Sequence, residues 1–349
     1  MTRIIPSTTS NRGMRPNEKP LAAYLMARAA MNRAIDGREL QNLRVGHETV
    51  QETRNLLPYG RSNVREDIQK SNRNIDVRAM TANDFRDALA HDFGYTRDNM
   101  DVSSYYHIIA AASQFIKTGN CEAHASNSAA LHAAKLADMN DERAVVAKAV
   151  RKDVNHIWTE MLSKGWRKDG TLKIHKHDVI MDGWCKEDIA ILREDSRFGR
   201  ADTKKQAQEL THYDLMNHIT GSLHKDVVET YKTYIDISPH LQDPYNWNLS
   251  AYVEVGLKSR ESDLFDATSV FHSRFQEQAG SVLHKDPSKP SFVKDLPTQG
   301  LDPAARQAKH ASLAEIQAVG VARSLGETVP RKAVKQAPGI IASSQEMFP

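Results

Sequence analysis

The pattern of apolar positions predicts α-helices in the first third of the chain. Residues 21–34 are rich in Ala, Leu and Met, and Gly37 follows where such a helix would end. Residues 105–117 place Ile, Ala and Phe side chains on one stripe, and Gly119 would end that second helix. Cys121 then opens the Ala-rich segment CEAHASNSAALHAAKLA, which is typical of another helix.

Three short apolar segments in the middle of the chain have the pattern of β-strands. They are RAVVAKAV around Val145, VNHIWTEM around Ile157 and HDVIMDGW around Ile180. Between the second and the third, Asp169 and Gly170 form a strong signal for the turn of a β-hairpin. Helices followed by antiparallel strands favour an α+β domain over alternating βαβ units.

Composition divides the chain into four regions, which are a leader (1–18), a helical region (19–117), an α+β core (118–283) and a C-terminal region (284–349). The leader is polar and has no acid before Glu18, which is typical of a disordered terminus or of an export signal read while unfolded. Within the core, helical character returns from about 203 to 235. The C-terminal region begins as a proline-rich linker and continues with a short helix, from about 303 to 324, and a flexible tail.

Composition and charge exclude several classes of function. Apolar residues make up 40% of the chain and charged residues 26%, which is a normal globular mixture. The 47 basic and 44 acidic residues give a net charge of only +3 and are scattered, so we expect no nucleic-acid partner. No run of about 18 apolar residues occurs, so we expect no integral membrane association. Phosphate-binding glycine motifs do not occur either, and we expect no cofactor.

The segment TGNC supplies a candidate nucleophile, Cys121, at the start of a predicted helix. A glycine turn before a thiol lets the backbone of a substrate approach closely. The unpaired N–H groups and the partial positive charge of a helix N-terminus favour a thiolate and an oxyanion. The alternative interpretation is that Cys121 is a small buried residue that packs among alanines.

Two further motifs offer a base and an acid. In NHIWTEM, His156 and Trp158 point to the same face of a strand, which suits a base in a partly desolvated cleft. In VIMDGWC, Asp182 and Trp184 do the same at the end of an apolar strand. Both residues also have structural interpretations, since the chain has 15 histidines and a carboxylate can cap the end of a strand.

Strand register links the base to the acid. Position 169, in the turn signal, is the midpoint between positions 156 and 182. In a hairpin closed by that turn, His156 and Asp182 would lie opposite each other, with about 4.5–5.5 Å between their Cβ atoms. The carboxylate would then accept the proton of Nδ1, and Nε2 would face the thiol of Cys121.

Several other residues are candidates for supporting roles. The backbone N–H of Cys121 is one expected oxyanion donor, and Gln114 or Asn120 is a candidate for the second. Trp158 and Trp184 are candidates for lining the cleft that holds the substrate.

The two cysteines favour free thiols in a reducing compartment over a single disulfide, because a disulfide-stapled domain of this size would normally carry more. His175, His177 and Cys185 are near one another in sequence, but they lack the paired spacing of a zinc site. We therefore expect no metal.

The ordered motifs resemble a known family. GNC at a helix start, then His-x-Trp, then an apolar strand that ends Asp-x-Trp, resembles the transglutaminase-like branch of the papain-type thiol enzymes. The segments GNCEAHA, NHIWTEM and VIMDGWCKEDIAILREDSRF are most similar to the AvrPphE (HopX, XopE) family of type III secreted effectors of plant-pathogenic bacteria. They fall within residues 118–198, near a quarter of the chain, and Glu122 stands where a glycine is expected after the nucleophile.

This resemblance implies both a fold and a function. The nucleophile, base and acid of the family fall on Cys121, His156 and Asp182, in a papain-like core whose nucleophile helix packs on an antiparallel sheet. The protein would be a virulence factor, held in the bacterial cytoplasm with a secretion chaperone until the type III system exports it. Inside the host cell it would cleave a host protein as a cysteine protease. The leader would carry the secretion signal, and residues 19–117 would recognise the target.

The residues alone leave three activities open. A Cys-His-Asp triad serves a protease that attacks a peptide bond, and it serves equally a transglutaminase or deamidase that attacks a glutamine side chain. The third possibility is a non-enzymatic protein that keeps a dead thiol-enzyme fold and acts by binding a host protein.

Overall fold

The computed structural model of the chain describes residues 16–33, 35–71, 101–141, 144–151, 155–163, 172–199, 211–216, 265–283 and 302–342, together with a few positions from 75 to 94 and position 229. These residues contain the helices α1 (Lys19–Ala30), α2 (Gly37–Leu56), α3 (Arg65–Lys70), α4 (Val102–Ile116), α5 (Cys121–Asp138), α6 (Ser273–Leu283), α7 (Pro303–Ser324) and α8 (Pro330–Ala342). Among the helices described, none combines the length and the apolarity needed to cross a membrane.

A five-stranded antiparallel sheet forms the centre of the fold. Its strands are β1 (Val145–Arg151), β2 (His156–Leu162), β3 (Val179–Met181), β4 (Ala190–Leu192) and β5 (Thr211–Met216), in the spatial order β4-β3-β2-β1-β5. The mixture of helices with an antiparallel sheet confirms the predicted α+β class. The first three strands are those that the apolar segments predict.

Two strands differ from the sequence prediction. The pattern gave no signal for β4, which has only three residues. Strand β5 lies within the stretch of about 203 to 235 that was predicted to be helical, and that prediction is wrong for residues 211–216. Among the described strands, β5 is at the edge of the sheet and pairs with β1, and this pairing holds a polar segment in extended form.

Helix ends also differ from the prediction. Gly37 does not end the first helix but begins α2, and Asp36 caps it: the Asp36 carboxylate accepts from the backbone N–H of Glu39, and Glu39 accepts from that of Asp36. Helix α4 ends before Gly119, because Lys117 takes a left-handed conformation with φ of 60°.

The C-terminal region contains more structure than its composition indicates. Helix α7 confirms the helix predicted at about 303 to 324. The prediction of a flexible tail is wrong for residues 330–342, which form α8 and pack against α1 and α7. The proline-rich linker lies outside the described residues, as do residues 1–15 of the leader. The boundary predicted between residues 117 and 118 stays a prediction.

Helix α5, which starts with the candidate nucleophile, packs against both the sheet and α2. It packs on β1 and β2, while α2 packs on α5, β3 and β4. The approach of α2 to the sheet is close, since a Cβ at Gly46 would lie 2.9 Å from a methyl carbon of Val179. Packing of this density holds Cys121 in a fixed position relative to the strands.

A buried charge network ties α1 to the turn that follows β4. Asp195 is completely buried and accepts hydrogen bonds from the Tyr24 hydroxyl at 2.7 Å, from Arg28 and from Arg33 at 2.6 Å. The Arg28 side chain is itself only 2% exposed. Removing one member of such a network leaves a buried charge without its partner.

We expect Asp195→Ala to lower the free energy of unfolding by about 3–5 kcal/mol, because buried Arg28 would lose its buried carboxylate partner and keep only the contact with the partly exposed Glu194. Urea denaturation followed by circular dichroism measures the loss. The matched control is Asp266→Ala, which breaks the 3.6 Å ion pair with Arg65 at the surface. The control should cost less than about 1 kcal/mol. Equal losses in the two variants would contradict a structural role for the network.

Candidate active site

Cys121 is the first residue of α5, as the sequence predicts. Asn120 precedes it and caps the helix, since its side-chain oxygen accepts from the backbone N–H of Ala123 at 3.0 Å. Cys121 is partly exposed, whereas Cys185 is buried, and both are free thiols. The structure therefore presents the thiol at a helix N-terminus, where unpaired N–H groups and the helix dipole favour negative charge.

Gly119 is required where the chain enters α5. Its backbone pairs with residues 60 and 62, through an N–H donated to Gly60 at 3.4 Å and a carbonyl that accepts from Ser62 at 3.0 Å. A Cβ at position 119 would lie 2.3 Å from the Cβ of Ala123, far inside van der Waals contact. Any side chain there must therefore move the segment that carries Cys121.

We expect Gly119→Ala to destabilise the fold by about 1–3 kcal/mol and to slow the reaction of Cys121, because the start of α5 must shift. Thermal denaturation and alkylation of Cys121 measure the two effects. Gly320→Ala is the control, since nothing lies within 4 Å of a Cβ at that position in α7. Alanine there should stabilise by about 0.5–1 kcal/mol. A Gly119→Ala protein as stable and as reactive as the parent would contradict this account.

His156 and Asp182 form a buried pair beside Cys121. Nε2 of His156 lies 2.6 Å from Oδ2 of Asp182, and the two residues are 6% and 2% exposed. The side chains of His156 and Cys121 line the same cavity, and Cys121 is close enough to contribute to the raised pKa of His156. Because Nε2 is engaged by the carboxylate, Nδ1 is the ring nitrogen left for the thiol. The sequence prediction had the two nitrogens the other way round, which is wrong, although either order connects the three groups.

The register of the strands differs from the predicted one by two residues. Thr159 lies opposite Met181, and the same register continued by one residue would set Asp182 opposite Trp158 rather than His156. Side chains alternate with a period of two, so a shift of two keeps His156 and Asp182 on the same face. His156 and Asp182 are therefore diagonal neighbours across the two strands, and Asp182 directly follows the last residue of β3. The predicted turn at 169 and 170 lies outside the described residues.

The groups around His156 and Asp182 shift the pKa values of both side chains. Burial opposes the imidazolium of His156, but the Asp182 carboxylate and the Cys121 side chain outweigh it and raise the pKa of His156 to about 9. Burial would likewise raise the pKa of Asp182, but the neighbouring imidazolium and hydrogen bonds lower it. The backbone N–H of Trp184 donates to Oδ1 at 2.9 Å and helps to fix the carboxylate. An ionised Asp182 beside a protonated His156 is the resulting state near neutral pH.

Cys185 forms a further hydrogen bond with the Asp182 carboxylate. Its thiol donates to Oδ2 of Asp182 at 3.2 Å, the same oxygen that His156 contacts. Burial, reinforced by the charge of Asp182, raises the pKa of Cys185 well above its usual range. Cys185 is therefore a hydrogen-bond donor and not a second nucleophile.

The same three side chains have the ligand types of a metal site. Nε2 of His156, Oδ2 of Asp182 and Sγ of Cys185 all lie within 4.8 Å of one another. In the structure the three groups are joined by hydrogen bonds, since His156 and the Cys185 thiol both contact Oδ2 of Asp182. Of the two histidines grouped with Cys185 from the sequence, His177 forms an ion pair with Glu39.

A narrow cavity of about 50 Å³ opens where Cys121 and His156 meet. Its lining residues are Asn63, Cys121, Asn155, His156, Trp184, Arg197, Phe198, Phe265 and Thr268. Aromatic rings hold the imidazole in place, since the ring centres of Trp184 and Phe198 each lie 4.8 Å from that of His156. The cavity therefore combines apolar walls with a thiol and an imidazole at its base.

Of the four supporting residues, one lines this cavity. Trp184 does so, and its Nε1 donates to Asn63 at 2.7 Å. Trp158 is completely buried and stacks on Phe198 at 4.7 Å between ring centres. The Gln114 amide donates to Asn127 at 2.7 Å and does not line the cavity.

Asn120 does not line the cavity either, because its side-chain oxygen caps α5. A role for Gln114 or Asn120 as oxyanion donor stays a prediction.

The sequence analysis did not find most of the cavity wall. Arg197, Phe198, Phe265 and Thr268 come from segments outside the strands, and no periodic pattern marks them. The residue type of Asn155 is one signal that the sequence does contain. In the structure Asn155 precedes His156 with φ of 43°, a left-handed conformation that asparagine tolerates.

Lys148 on β1 is a further charged group close to the nucleophile. It is completely buried, and its Nζ lies 3.8 Å from the Glu122 carboxylate and 2.9 Å from the centre of the Tyr106 ring. Burial lowers the pKa of Lys148 to about 7, while Glu122 and Asp214 act in the opposite direction. Lys148 thus offsets part of the negative charge that Glu122 places next to Cys121.

The arrangement contains residue types that nucleophilic acyl transfer needs: a thiol at a helix start, an imidazole in the same cavity and a carboxylate bonded to that imidazole. The chain matches no protein-family model, no curated protein and no solved structure. The inference of function therefore depends on Cys121, His156 and Asp182 and on the motifs that resemble the AvrPphE family.

Proposed function

We propose that the protein is a thiol enzyme with a Cys-His-Asp triad, in which Cys121 is the nucleophile, His156 the proton carrier and Asp182 the group that orients it. The observation that carries this proposal is the position of His156. Its imidazole bonds Asp182 at 2.6 Å through Nε2, and it lines the same cavity as the partly exposed thiol of Cys121. A histidine that serves only packing needs neither a buried carboxylate partner nor a thiol beside it.

The reaction would proceed in two steps. The Cys121 thiolate attacks the carbonyl carbon of an amide, and a tetrahedral oxyanion forms. The protonated His156 then gives its proton to the leaving amine as the C–N bond breaks, which leaves a thioester on Cys121. In the second step neutral His156 takes a proton from water or from an incoming amine, whose attack on the thioester releases the thiol.

The start of α5 supplies one expected donor to the oxyanion. The backbone N–H of Cys121 belongs to the first turn of the helix, where N–H groups have no partner within the helix. Fixed donors of this kind stabilise the charge that develops on the carbonyl oxygen. The helix dipole adds to the effect.

The preferred reaction is proteolysis of a host protein, and this preference comes from the resemblance to the AvrPphE family. By the same resemblance we propose a papain-like core and a virulence effector that a type III system delivers into the host cell. Transglutamination or deamidation of glutamine side chains is the alternative, since the same three residues would carry it. A protein that only binds its host target is the second alternative.

One experiment with three readouts tests the proposal. The full chain is incubated with a plant leaf extract, and new protein N-termini, released ammonia and incorporation of a labelled amine are measured. A Cys121→Ala protein serves as the matched control. We expect new N-termini that appear with the parent and not with the variant. Ammonia or amine incorporation that depends on Cys121 would support the glutamine reactions instead, and the absence of all three signals would contradict the enzyme proposal.

A further inference from the structure

Basic residues outnumber carboxylates among the residues that line the cavity beside Cys121. None of its lining residues is Asp or Glu, whereas Arg197 is among them. His156 is the other cationic group, but its charge is matched by Asp182. Arg197 therefore gives the cavity one cation that no lining carboxylate neutralises.

The position of Arg197 is fixed through its backbone. Its N–H donates to the carbonyl of Val270 at 3.0 Å, and its carbonyl accepts from Arg151 at 3.5 Å. The guanidinium lies 5.6 Å from the centre of the Phe198 ring, and that ring stacks on His156. The Phe198 ring therefore lies next to both the guanidinium of Arg197 and the imidazole of His156.

Other arginines near the site are paired. Arg61 forms an ion pair with Asp67 at 2.7 Å, and Arg193 forms one with Glu160. Within the part of the chain that the structure describes, Arg197 has no such carboxylate within ion-pair distance. A partly exposed guanidinium on an apolar cavity wall is suited to bind a carboxylate from outside the protein.

We propose that Arg197 selects substrates that carry an acidic side chain next to the attacked carbonyl. This inference rests on the proposed function, because it assigns the acyl group that Cys121 receives. The planar guanidinium can hold the Asp or Glu carboxylate with two parallel hydrogen bonds. The aromatic side chains of Trp184, Phe198 and Phe265 in the cavity wall lower the local dielectric constant and strengthen that attraction. Substrates with a lysine at this position would be rejected by like charge.

Two small alkylating reagents test the charge without a known substrate. Iodoacetamide is neutral and iodoacetate carries a carboxylate. The sulfur of Cys121 attacks the CH2 carbon of each reagent, an S–C bond forms and iodide leaves. The measured quantity is the ratio of the iodoacetate rate to the iodoacetamide rate at Cys121, followed by mass spectrometry at low ionic strength. Arg197→Gln should lower this ratio about fivefold, and Arg197→Lys should keep most of it. Arg323→Gln, an exposed position on α7, is the matched control and should change nothing.

The outcomes separate the two proposals. An unchanged ratio in a folded Arg197→Gln protein would overturn the role of Arg197, as would an equal fall in the Arg323→Gln control. If the parent Cys121 reacts with iodoacetamide no faster than an ordinary thiol, the proposed enzyme fails, yet the ratio still reports the charge at Arg197. With an active enzyme, acidic residues should be enriched at the sites of reaction for the parent and not for Arg197→Gln.

Discussion

Cys121→Ala is expected to reduce turnover by at least about 10³-fold while the fold stays intact, because it removes the atom that becomes acylated. Cys121 is partly exposed at the first position of α5, so its loss opens no core cavity. The measurement is the rate of the Cys121-dependent reaction in the leaf extract, with circular dichroism and a melting curve for folding.

The control for this prediction is Cys185→Ala, which should keep most of the activity. Its thiol is buried and protonated, and it only donates to Asp182. The carboxylate would still have the hydrogen bonds from His156 and from the backbone of Trp184. If both alanine variants are folded and both are inactive, Cys121 cannot be distinguished as the nucleophile and the assignment fails.

His156→Ala should reduce activity more than Asp182→Asn does. The alanine removes the proton carrier and the partner of the thiolate, whereas the asparagine removes only the group that fixes the imidazole. In a serine triad the corresponding acid-to-amide change costs about 10⁴ in turnover. We expect a loss of about 10–10³ for Asp182→Asn, because a thiol at a helix N-terminus depends less on its base. Turnover of both variants from pH 5 to 9 measures the difference.

The same pair has a consequence for stability. The folded pKa of His156 is about 9, above the unfolded value of 6.5. Folding therefore binds a proton, so the stabilisation is complete below pH 6.5 and is lost as the pH rises through 9. The parent should lose more stability between pH 6.5 and 9 than Asp182→Asn does, by urea denaturation at each pH. A folded Asp182→Asn protein with parental activity and the parental pH slope would contradict the pair.

Other carboxylates near the site are already engaged. Asp178 accepts from the backbone N–H groups of Ser163 and His175, and Asp188 forms an ion pair with Arg54 at 2.9 Å. These partners hold both carboxylates away from the role that Asp182 fills. If Asp182→Asn nevertheless behaves like the parent, Asp178 and Asp188 are the next residues to replace.

Strands β1, β2 and β3 could be predicted because successive side chains along them are buried. Strands β1, β2 and β3 each place several completely buried side chains against α5 or α2, and runs of Val, Ile and Met encode that environment. The edge strand β5 was missed because its polar sequence is extended only through its pairing with β1. Helix α2 was missed although its capping box, Asp36 with Glu39, is visible in the sequence. Gly37 within that box was interpreted as a helix end.

The proximity of His156 and Asp182 could be predicted from the sequence, and the wall of the cavity beside them could not. His156 and Asp182 could be paired because a register error of two residues leaves both side chains on the same face. The order of the imidazole nitrogens could not be predicted, since it depends on how the ring is held between Trp184 and Phe198. Contacts of this kind join segments that are distant along the chain, and no local pattern encodes them.

The central claim is that His156 activates Cys121, and competitive labelling tests it most directly. The full chain is treated with iodoacetamide near neutral pH, and alkylation of Cys121 and Cys185 is followed by mass spectrometry in the parent and in His156→Ala. We expect Cys121 to react at least about 100-fold faster than Cys185 in the parent and to slow markedly in the variant, because the thiolate loses its imidazolium partner. Equal, slow labelling of the two thiols, or no change in the variant, would contradict the account.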